Sequence, residues 1–458
     1  MTRSGEQWVR FLATRAVGMA VDAVVVGLAY VVSFMLRFDF REPGWGWRAV
    51  ALSYTTVCAV HVASLLACGC YRLAWRRTRV VDVPRYVAAT ALACAVLTAM
   101  RFFLPGLDFA HVRPPYSVTL MCFFFAAAGL VSVRLLWRAY WLSLQSGGGV
   151  LERDERTFDN SVAARFLAGR TVMVTGAGGS IGSEIVRQVA AAGAAKVLMV
   201  ERCENALYEI DRAMRGSGFA AKFAPLMVDC GDRERMSRVF EAERPSVVLH
   251  AAAYKHVPMV ELNPEEGRRN NAGATRTLAS LAAQHGVGRF VMISTDKAVN
   301  PVSVMGRTKR EAEQAIMAMN RDGGTSFCAV RFGNVFGSSG SVVPLFREQI
   351  ARGGPVTVTH PDMKRYFMTI QEAVSLVLQA ASRSERAIYT LDMGEPVKIV
   401  DLAESMIEKA GYRPYVDVPI VFTGIRPGEK LFEELDISGK SAFKTDMAKI
   451  YVTKGPET

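Results

Sequence analysis

Long apolar runs dominate the first third of the chain. Four of them, over residues 16–36, 49–70, about 86–104 and 116–133, approach the ~20 residues that a helix needs to cross the hydrocarbon core of a bilayer. A stretch rich in glycine and charge, residues 143–161, then interrupts the apolar pattern, as linkers do. The sequence therefore predicts a transmembrane region with four helices over residues 1–142 and a linker over residues 143–170.

Beyond residue 170 the pattern changes to short runs rich in Val and Ile, separated by segments with helical periodicity. The short runs cover residues 171–175, 196–201, 225–229, 246–253, 289–295 and 327–332. Continuous apolar strands that alternate with helices are typical of a parallel sheet covered on both faces. We therefore predict an α/β, Rossmann-like, doubly wound parallel sheet in a catalytic domain over residues 171–458.

The net charge of +12 raises the question of a nucleic-acid partner. Residues 1–140 contain fifteen Arg, no Lys and six acidic residues, so nine of the twelve excess charges lie there. These arginines flank apolar runs, which is typical of membrane anchoring rather than of phosphate-backbone binding. Ten lie on the side of both chain ends and five on the other, which predicts a multi-pass protein of the cytoplasmic (inner) membrane with a cytoplasmic catalytic domain.

Two polar residues, Asp22 and His61, interrupt the apolar runs. An acid inside a membrane span is a candidate for a functional role such as transport. No second acid lies nearby to complete a relay, and this favours the alternative, a hydrogen bond between helices.

A glycine-rich segment, TGAGGSIGSE, follows the first short run directly. Gly176, Gly179 and Gly182 allow a tight turn and close approach of the backbone to a pyrophosphate, at the start of a helix. Glu201 ends the second run, where an acid binds the adenosine ribose hydroxyls, and this favours NAD. Because Arg202 beside it could accommodate a 2′-phosphate, NADP stays open. A structural turn that binds no phosphate is the alternative reading.

Seven motifs along residues 150–452 resemble the extended short-chain dehydrogenase/reductase superfamily, and within it the membrane-anchored nucleoside-diphosphate-sugar 4,6-dehydratases of bacterial polysaccharide biosynthesis (the CapD-like branch). They are VTGAGGSIGSE (174–184), HAAAYKHVPMVE (250–261), STDKAVNP (294–301), VMGRTKREAE (304–313), RFGNVFGSSGSVVPLF (331–346), THPDMKRYFMTIQEA (359–373) and RPGEK (426–430). The resemblance implies a small C-terminal substrate-binding subdomain beside the sheet. Larger members carry a further nucleotide-binding-like domain, for which the linker here is too short.

The resemblance also implies a set of residues that bind the cofactor. They are Gly176, Gly179, Ser180, Ile181, Gly182, Glu201, Arg202, Asp229, Cys230, Ala251, Ala252, Ala253 and Lys309. Lys309 is the lysine of the superfamily's Tyr-x-x-x-Lys and is expected to hold the nicotinamide ribose. Met305 replaces the tyrosine, and its thioether has no proton to transfer. This replacement is itself typical of the large membrane-bound members, so we count Met305 among the catalytic positions.

The implied reaction oxidises C4 of a sugar by hydride transfer to NAD⁺, eliminates water across C5–C6 and returns the hydride to C6. Elimination needs an acid at the C6 hydroxyl and a base at C5. We assign Asp296 as the acid and Lys297 as the base, with Thr295 hydrogen-bonding near C4. The group that takes the C4 hydroxyl proton is left open among Lys297, Asp296 and a bound water. A plain Asp–Lys ion pair at a strand end is the alternative.

Recognition of a nucleoside diphosphate requires cations, and arginine suits its oxygens. Arg331, Arg365 and Arg426 fall in the motifs, and Lys255, His256, Asn271 and Asn334 are further residues expected to line the substrate pocket. Taken alone, a histidine such as His256 is more often a core or surface residue. No group of His, Asp or Glu in the sequence suggests a metal site.

The leading hypothesis is a UDP-N-acetylglucosamine 4,6-dehydratase that supplies capsule, O-antigen or other glycan synthesis. Its expected partners are a UDP-sugar and the bacterial membrane, with a homo-oligomer allowed and no nucleic acid. A nucleotide-sugar 4-epimerase shares the fold and the C4 oxidation but needs no acid at C6. A membrane scaffold without catalysis is the third hypothesis, which the complete glycine motif and Lys309 disfavour.

Overall fold

The computed structural model describes residues 15–41, 46–71, 82–103, 114–145, 161–321, 323–435 and 442–453. The chain divides into two units, residues 1–153 and residues 154–458. Each unit has its own cluster of buried apolar side chains.

The first unit consists of four long helices. They are α1 (Arg15–Arg37), α2 (Gly46–Ala67), α3 (Val83–Phe103) and α4 (Tyr116–Gln145). Each contains an apolar stretch of 18–22 residues, which is long enough to cross a membrane. The prediction of four such helices is confirmed.

A buried ion pair joins the first and last of these helices. Arg134 Nη2 lies 2.6 Å from Asp22 Oδ2, and both side chains are fully buried. The Arg134 guanidinium also stacks over the Tyr86 ring at 4.3 Å and donates to the Leu130 carbonyl at 3.0 Å. The prediction that Arg134 lies beyond the end of the fourth span is therefore wrong, because α4 continues past it. The predicted flanking arginines Arg72, Arg76, Arg77 and Arg79 lie outside the described residues.

The second unit is built around a nine-stranded sheet. Its strand order is β14-β15-β11-β6-β5-β4-β1-β2-β3, and the seven strands from β11 to β3 are parallel. The strands are β1 (Thr171–Thr175), β2 (Lys196–Glu201), β3 (Lys222–Met227), β4 (Val247–His250), β5 (Arg289–Ile293), β6 (Ser326–Arg331), β11 (Ile388–Leu391), β14 (Ala442–Lys444) and β15 (Ile450–Thr453). The predicted doubly wound parallel sheet is confirmed, and an antiparallel hairpin, β14–β15, extends it at one edge.

Helices connect the parallel strands and cover both faces of the sheet. They are α6 (Ser180–Ala191), α7 (Glu204–Arg215), α8 (Arg233–Glu243), α9 (Val257–Leu262), α10 (Pro264–Arg268), α11 (Ala274–Gln284), α12 (Val304–Ala318) and α14 (Ile370–Ser382). Two apolar clusters form the cores of the two faces. The chain order reverses between β1 and β4, and ligands of such sheets bind at the carboxyl ends of the strands beside this point.

Part of the predicted linker belongs to the folded second unit. Residues 146–160 lie outside the described residues, but Ser161–Leu167 forms a short helix, α5. Its residues Ala163 and Leu167 are buried in the same apolar cluster as Val186. The apolar side chains at these two positions pack α5 against the core. The predicted linker, residues 143–170, therefore overlaps the folded unit from residue 161 onwards.

Short strand pairs lie beside the carboxyl edge of the main sheet. They are β7 (Asn334–Val335) with β10 (Phe367–Met368), β8 (Val356–Val358) with β13 (Ile420–Phe422), and β9 (Lys364–Arg365) with β12 (Val397–Lys398). Two helices, α13 (Val342–Arg352) and α15 (Ile399–Lys409), pack with β8. This part of the chain corresponds to the expected C-terminal subdomain.

Candidate active site

The glycine-rich loop between β1 and α6 is shaped by close backbone contacts. Gly176 has a φ of +67°, and a Cβ there would lie 2.8 Å from Ala252 Cα. A Cβ on Gly182 would lie 1.9 Å from the Gly176 carbonyl oxygen. Both positions therefore require a residue without a side chain. The Gly179 position is less crowded, since a Cβ there would have its nearest atom at 3.3 Å. This loop and the start of α6 form a cradle that fits a pyrophosphate.

Glu201 faces this loop from the end of β2. Its carboxylate accepts hydrogen bonds from the backbone N–H of Gly178 at 3.2 Å, Arg202 at 2.9 Å and Cys203 at 3.0 Å. The carboxylate is thus fixed beside the loop, where an acid can bind ribose hydroxyls.

The Arg202 side chain turns towards Tyr254 and away from Glu201. Its guanidinium stacks over the Tyr254 ring at 4.7 Å and donates to Asn270 Oδ1 at 3.2 Å. Arg202 also lies 3.6 Å from Asp229 Oδ2, an ion pair with both partners more than a third exposed. These three partners place a cation at the rim of the predicted adenosine site.

The remaining predicted cofactor residues divide into lining and buried ones. The Ala252 backbone lies against Gly176, so the segment after β4 packs directly on the glycine-rich loop. Ile181 packs on the apolar cluster, and Cys230 is buried. Burial raises the pKa of the Cys230 thiol to about 12, so it stays protonated at neutral pH.

Lys309 is buried on α12 and donates from Nζ to the Ile293 carbonyl at 2.7 Å. Burial lowers its pKa to about 8, and the nearby Glu313 opposes this shift. A lysine with this pKa is partly neutral just above physiological pH. Its position below the end of β5 fits the predicted contact with a nicotinamide ribose.

The Thr295–Asp296–Lys297 turn follows β5, and Asp296–Ala298 forms a single turn of 3₁₀ helix that Thr295 caps. The Asp296 N–H donates to the Phe332 carbonyl at 3.1 Å, which ties the turn to the segment after β6. Thr295 Oγ1 donates to Asp296 Oδ1 at 2.8 Å and accepts from the Lys297 N–H at 3.3 Å. The hydroxyl thus orients the predicted acid and the predicted base together.

Asp296 has one satisfied and one unsatisfied oxygen. The residue is 1% exposed, and among the described residues its Oδ2 has no hydrogen-bond partner. A Cβ on Gly333 would lie 2.9 Å from Oδ2, so the glycine keeps the space beside this oxygen open. A buried carboxylate oxygen without a partner costs free energy unless it is protonated or bonds a ligand.

Lys297 Nζ is surrounded by three oxygen atoms. It lies 3.0 Å from Asp296 Oδ1, 3.3 Å from Asn334 Oδ1 and 3.8 Å from Glu433 Oε1. The first two oxygens accept hydrogen bonds from Nζ, and the Glu433 carboxylate lies at ion-pair distance. The structure therefore brings together Thr295, Asp296, Lys297 and Asn334, all predicted, with Glu433, which was not.

Two predicted substrate residues belong instead to the packed interior. Arg331 forms a two-pronged ion pair with Glu313, with N···O distances of 2.8 and 2.7 Å. Asn271 is 1% exposed, and its amide bonds both backbone groups of Tyr254 and the Thr308 hydroxyl. The polar groups of both side chains bond other residues of the fold, which favours a structural role over contact with a nucleotide sugar.

Met305 also has a packing role. It is 3% exposed and clusters with Val257 and Val260 of α9. The position that holds a tyrosine in short-chain dehydrogenases is therefore filled here by an apolar contact between α12 and α9.

Three further predicted residues lie at the rim or on loops beside it. Lys255 Nζ donates to the Ser339 carbonyl at 2.7 Å, and the Ser339 N–H donates to Ser180 Oγ at 3.0 Å. The His256 ring packs on Gly340 of the same loop. Arg426 is exposed at the start of the segment that leads to Glu433. These contacts place the 337–340 loop over the glycine-rich loop.

Arg365 is buried on β9 and holds the C-terminal segment by its backbone. Its guanidinium donates to the carbonyls of Lys430 at 2.8 Å and Leu431 at 3.2 Å. Glu433 Oε1 lies 3.9 Å from Arg365 Nη2. Glu433 thus lies between Arg365 and Lys297 of the Thr295–Lys297 turn.

Sequence reasoning missed Glu433 and His250. His250 is buried and bridges Thr175 Oγ1 at 2.7 Å and Thr275 Oγ1 at 2.9 Å. Burial lowers its pKa to about 3, so it is a neutral link between β1, β4 and α11. Glu433 follows the RPGEK motif by three residues, and nothing in the local sequence distinguishes it from the adjacent Glu434.

Comparisons with known proteins show which family the second unit resembles. A family profile described as "Polysaccharide biosynthesis protein" matches residues 172–455. The capsular polysaccharide biosynthesis protein CapD of Staphylococcus aureus is 51% identical over 289 residues, which are 62% of this chain and 48% of that protein. The probable polysaccharide biosynthesis protein EpsC of Bacillus subtilis is 49% identical over 307 residues, 67% of this chain and 51% of that protein. The chain spans about half the length of these relatives.

Two further similarities concern the catalytic unit. A UDP-glucose 4-epimerase of Rickettsia rickettsii is 32% identical over 286 residues, 62% of this chain and 82% of that protein. The X-ray structure of Pen from Bacillus thuringiensis superposes with a TM-score of 0.58 at 30% identity, covering 64% of this chain and 91% of that one.

Proposed function

Because the chain belongs to the polysaccharide biosynthesis protein family within the extended short-chain dehydrogenase/reductase superfamily, we propose that it is a nucleotide-sugar 4,6-dehydratase acting on UDP-N-acetylglucosamine. The Asp296–Lys297 pair after β5, in which Asp296 is buried, carries this proposal, because elimination across C5–C6 needs an acid and a base side by side. The product, a UDP-4-keto-6-deoxy sugar, serves the synthesis of capsule, O-antigen or another surface glycan.

The cofactor of this reaction is NAD, with NADP as the alternative. When bound, the cofactor would supply the acceptor and donor of the hydride. The glycine-rich loop would hold its pyrophosphate, Glu201 the adenosine ribose and Lys309 the nicotinamide ribose. The Glu201 carboxylate favours NAD, and Arg202 would have to leave Tyr254 to meet a 2′-phosphate.

The elimination step uses the catalytic turn. A ketone at C4 acidifies the C5 proton, which Lys297 accepts, while Asp296 protonates the C6 hydroxyl as it leaves as water. The unsatisfied Asp296 Oδ2 supports this role, because a substrate hydroxyl bonded to it would supply the missing partner. Thr295 holds both residues and lies near C4. The C4 hydroxyl proton goes to Asp296, Lys297 or a bound water.

The substrate diphosphate is held by cations at the rim. Arg426 and Lys255 are exposed there, and Arg365 and Asn334 orient the groups around Lys297. The membrane helices are proposed to anchor the protein in the cytoplasmic membrane by several passes, with the catalytic unit in the cytoplasm. Four apolar helices of sufficient length support this placement.

One assay tests the function. Full-length protein in detergent is incubated with NAD⁺ and UDP-N-acetylglucosamine in deuterated water, and the product is analysed by NMR and mass spectrometry. A 4-keto-6-deoxy sugar with deuterium at C5 supports the dehydratase. Absence of turnover with every nucleotide sugar tested supports a scaffold instead.

A 4-epimerase is the second candidate, and the similarity to the Rickettsia rickettsii enzyme favours it. In the same assay it yields UDP-N-acetylgalactosamine that retains the C6 hydroxyl. Against it stands the acid beside Lys297, since inversion at C4 requires no proton donor at C6.

A further inference from the structure

Glu433 is a carboxylate that reaches the catalytic turn from a distant part of the chain. It is 8% exposed, and its Oε1 lies 3.8 Å from Lys297 Nζ and 3.9 Å from Arg365 Nη2. Burying a carboxylate is costly without cationic partners. Its position therefore needs an explanation beyond chance packing.

The segment that carries Glu433 is held against the turn from two sides. On one side, Arg365 donates to the Lys430 and Leu431 carbonyls, and the Lys364 N–H donates to the Leu431 carbonyl at 3.3 Å. On the other side, Lys430 Nζ donates to the Val299 carbonyl at 3.2 Å. Because these bonds fix residues 430 and 431, they also set where the Glu433 carboxylate lies.

The neighbouring acid, Glu434, faces the opposite way. It accepts from Asn300 Nδ2 at 2.8 Å and from Lys430 Nζ at 3.2 Å, and its side chain is 55% exposed. Two adjacent acids thus have different tasks, since one secures the segment at its surface and the other points at Lys297.

The surroundings of Lys297 pose a chemical problem for the proposed reaction. Two carboxylates and an amide oxygen favour the ammonium, but the base at C5 must be a neutral amine. Asp296, in turn, must carry a proton to act as an acid. Both needs are met if the proton on Lys297 Nζ moves to Asp296, 3.0 Å away, giving an amine and a carboxylic acid.

We propose that Glu433 is a positioning residue that holds Lys297 between Asp296 and itself and sets how strongly the amine attracts the C5 proton. Resting on the proposed function, the steps balance. The ammonium gives a proton to Asp296, Asp296 passes it to the departing C6 hydroxyl, and Lys297 regains one from C5. Throughout, the Glu433 carboxylate favours a positive charge on Lys297, so the amine is a stronger base than Asp296 alone would make it.

Charged groups face Glu433 from three parts of the chain. Lys297 and Asp296 face it from the turn, Arg365 from β9 and Lys430 from its own segment. Burial raises the pKa of Glu433, Lys297 and Arg365 lower it, and Asp296 raises it further. Since Arg365 lies 3.9 Å away, the carboxylate keeps a cation beside it when Lys297 is neutral.

The test compares Glu433→Gln with Glu434→Gln in the full-length protein. Both remove one negative charge from adjacent positions, so Glu434→Gln is the matched control. The pH dependence of kcat is measured for UDP-N-acetylglucosamine, together with NAD binding as a check on folding. At high pH the profile falls when a proton that the reaction needs is lost, and this basic limb is compared among the variants.

In Glu433→Gln we expect the basic limb to move to lower pH by about one unit or more, because a nearby anion no longer favours the ammonium. Glu433→Asp should restore part of the shift, and Glu434→Gln should leave the limb in place. A wild type that makes no 4-keto-6-deoxy product overturns the proposed function, and this inference with it. An active wild type overturns the inference alone if Glu433→Gln keeps the wild-type limb or Glu434→Gln moves it equally.

Discussion

Two clusters of buried charge lie at the ends of β5 and β6, and they are built differently. In the first, Glu313 and Arg331 meet through two short bonds of 2.7 and 2.8 Å, and Ser294 donates to the same carboxylate. In the second, Lys297 is shared among Asp296, Asn334 and Glu433 at 3.0 to 3.8 Å, and Asp296 Oδ2 has no hydrogen-bond partner among the described residues.

The difference separates a structural ion pair from a reactive one. A two-pronged arginine–carboxylate pair fixes both charges and leaves no proton to transfer. A lysine that contacts a carboxylate with a partnerless oxygen has an acid–base neighbour with which it can exchange a proton. Four experiments test this distinction, in order of decreasing expected effect.

The largest effect is expected in the reactive cluster. Asp296→Asn and Lys297→Ala should each lower kcat about 10²–10⁴-fold, because each removes a general acid or base. NAD binding, measured by equilibrium dialysis, should stay at the wild-type level. Full activity in either variant would contradict the assigned roles.

The Glu313–Arg331 ion pair should contribute to the stability of the fold. Glu313→Gln should destabilise the catalytic unit by about 3–5 kcal/mol, because it leaves a buried guanidinium without its carboxylate. Hydrogen exchange of the β5 and β6 amides, followed by mass spectrometry in urea, measures this loss. Replacing both partners, Glu313→Leu with Arg331→Met, should recover most of it. If the single variant is as stable as the wild type, the pair is not structural.

The next effect concerns Lys309, whose pKa falls from 10.5 to about 8 on burial. Between these values the unfolded chain binds a proton that the folded one has released, so stability rises with pH across that window. Relative to Lys309→Met, the wild type should gain about 3 kcal/mol from pH 8 to pH 10.5, and nothing below pH 8. Urea unfolding without cofactor measures the difference, and parallel pH profiles for the two proteins would refute it.

The smallest effect is expected for a carboxylate outside both clusters. Glu201→Gln should weaken NAD binding about tenfold, or ~1.4 kcal/mol, by removing a charged acceptor for the ribose hydroxyls. NADP binding should change less. Isothermal titration calorimetry with both cofactors makes the comparison, and an equal loss for the two would show that Glu201 does not select between them.

The parts of the site that lie close together in sequence could be predicted. Gly176, Gly182 and the Thr295–Lys297 turn each follow an apolar strand, and the doubly wound topology then places them at one edge of the sheet. Partners distant in sequence could not be predicted in this way. The sequence places Arg331 in a motif but does not show that its guanidinium pairs with Glu313. Nor does it show that residues 430–433 fold back onto Lys297.

The Asp22–Arg134 pair has a consequence for how the chain is made. These residues are 112 positions apart, on the first and the last of the four apolar helices. In the proposed membrane placement, α1 with its acid is inserted before the arginine of α4 has been synthesised. Carrying a lone carboxylate in lipid is costly. We therefore expect the first helix to reach its full stability only when the fourth is inserted.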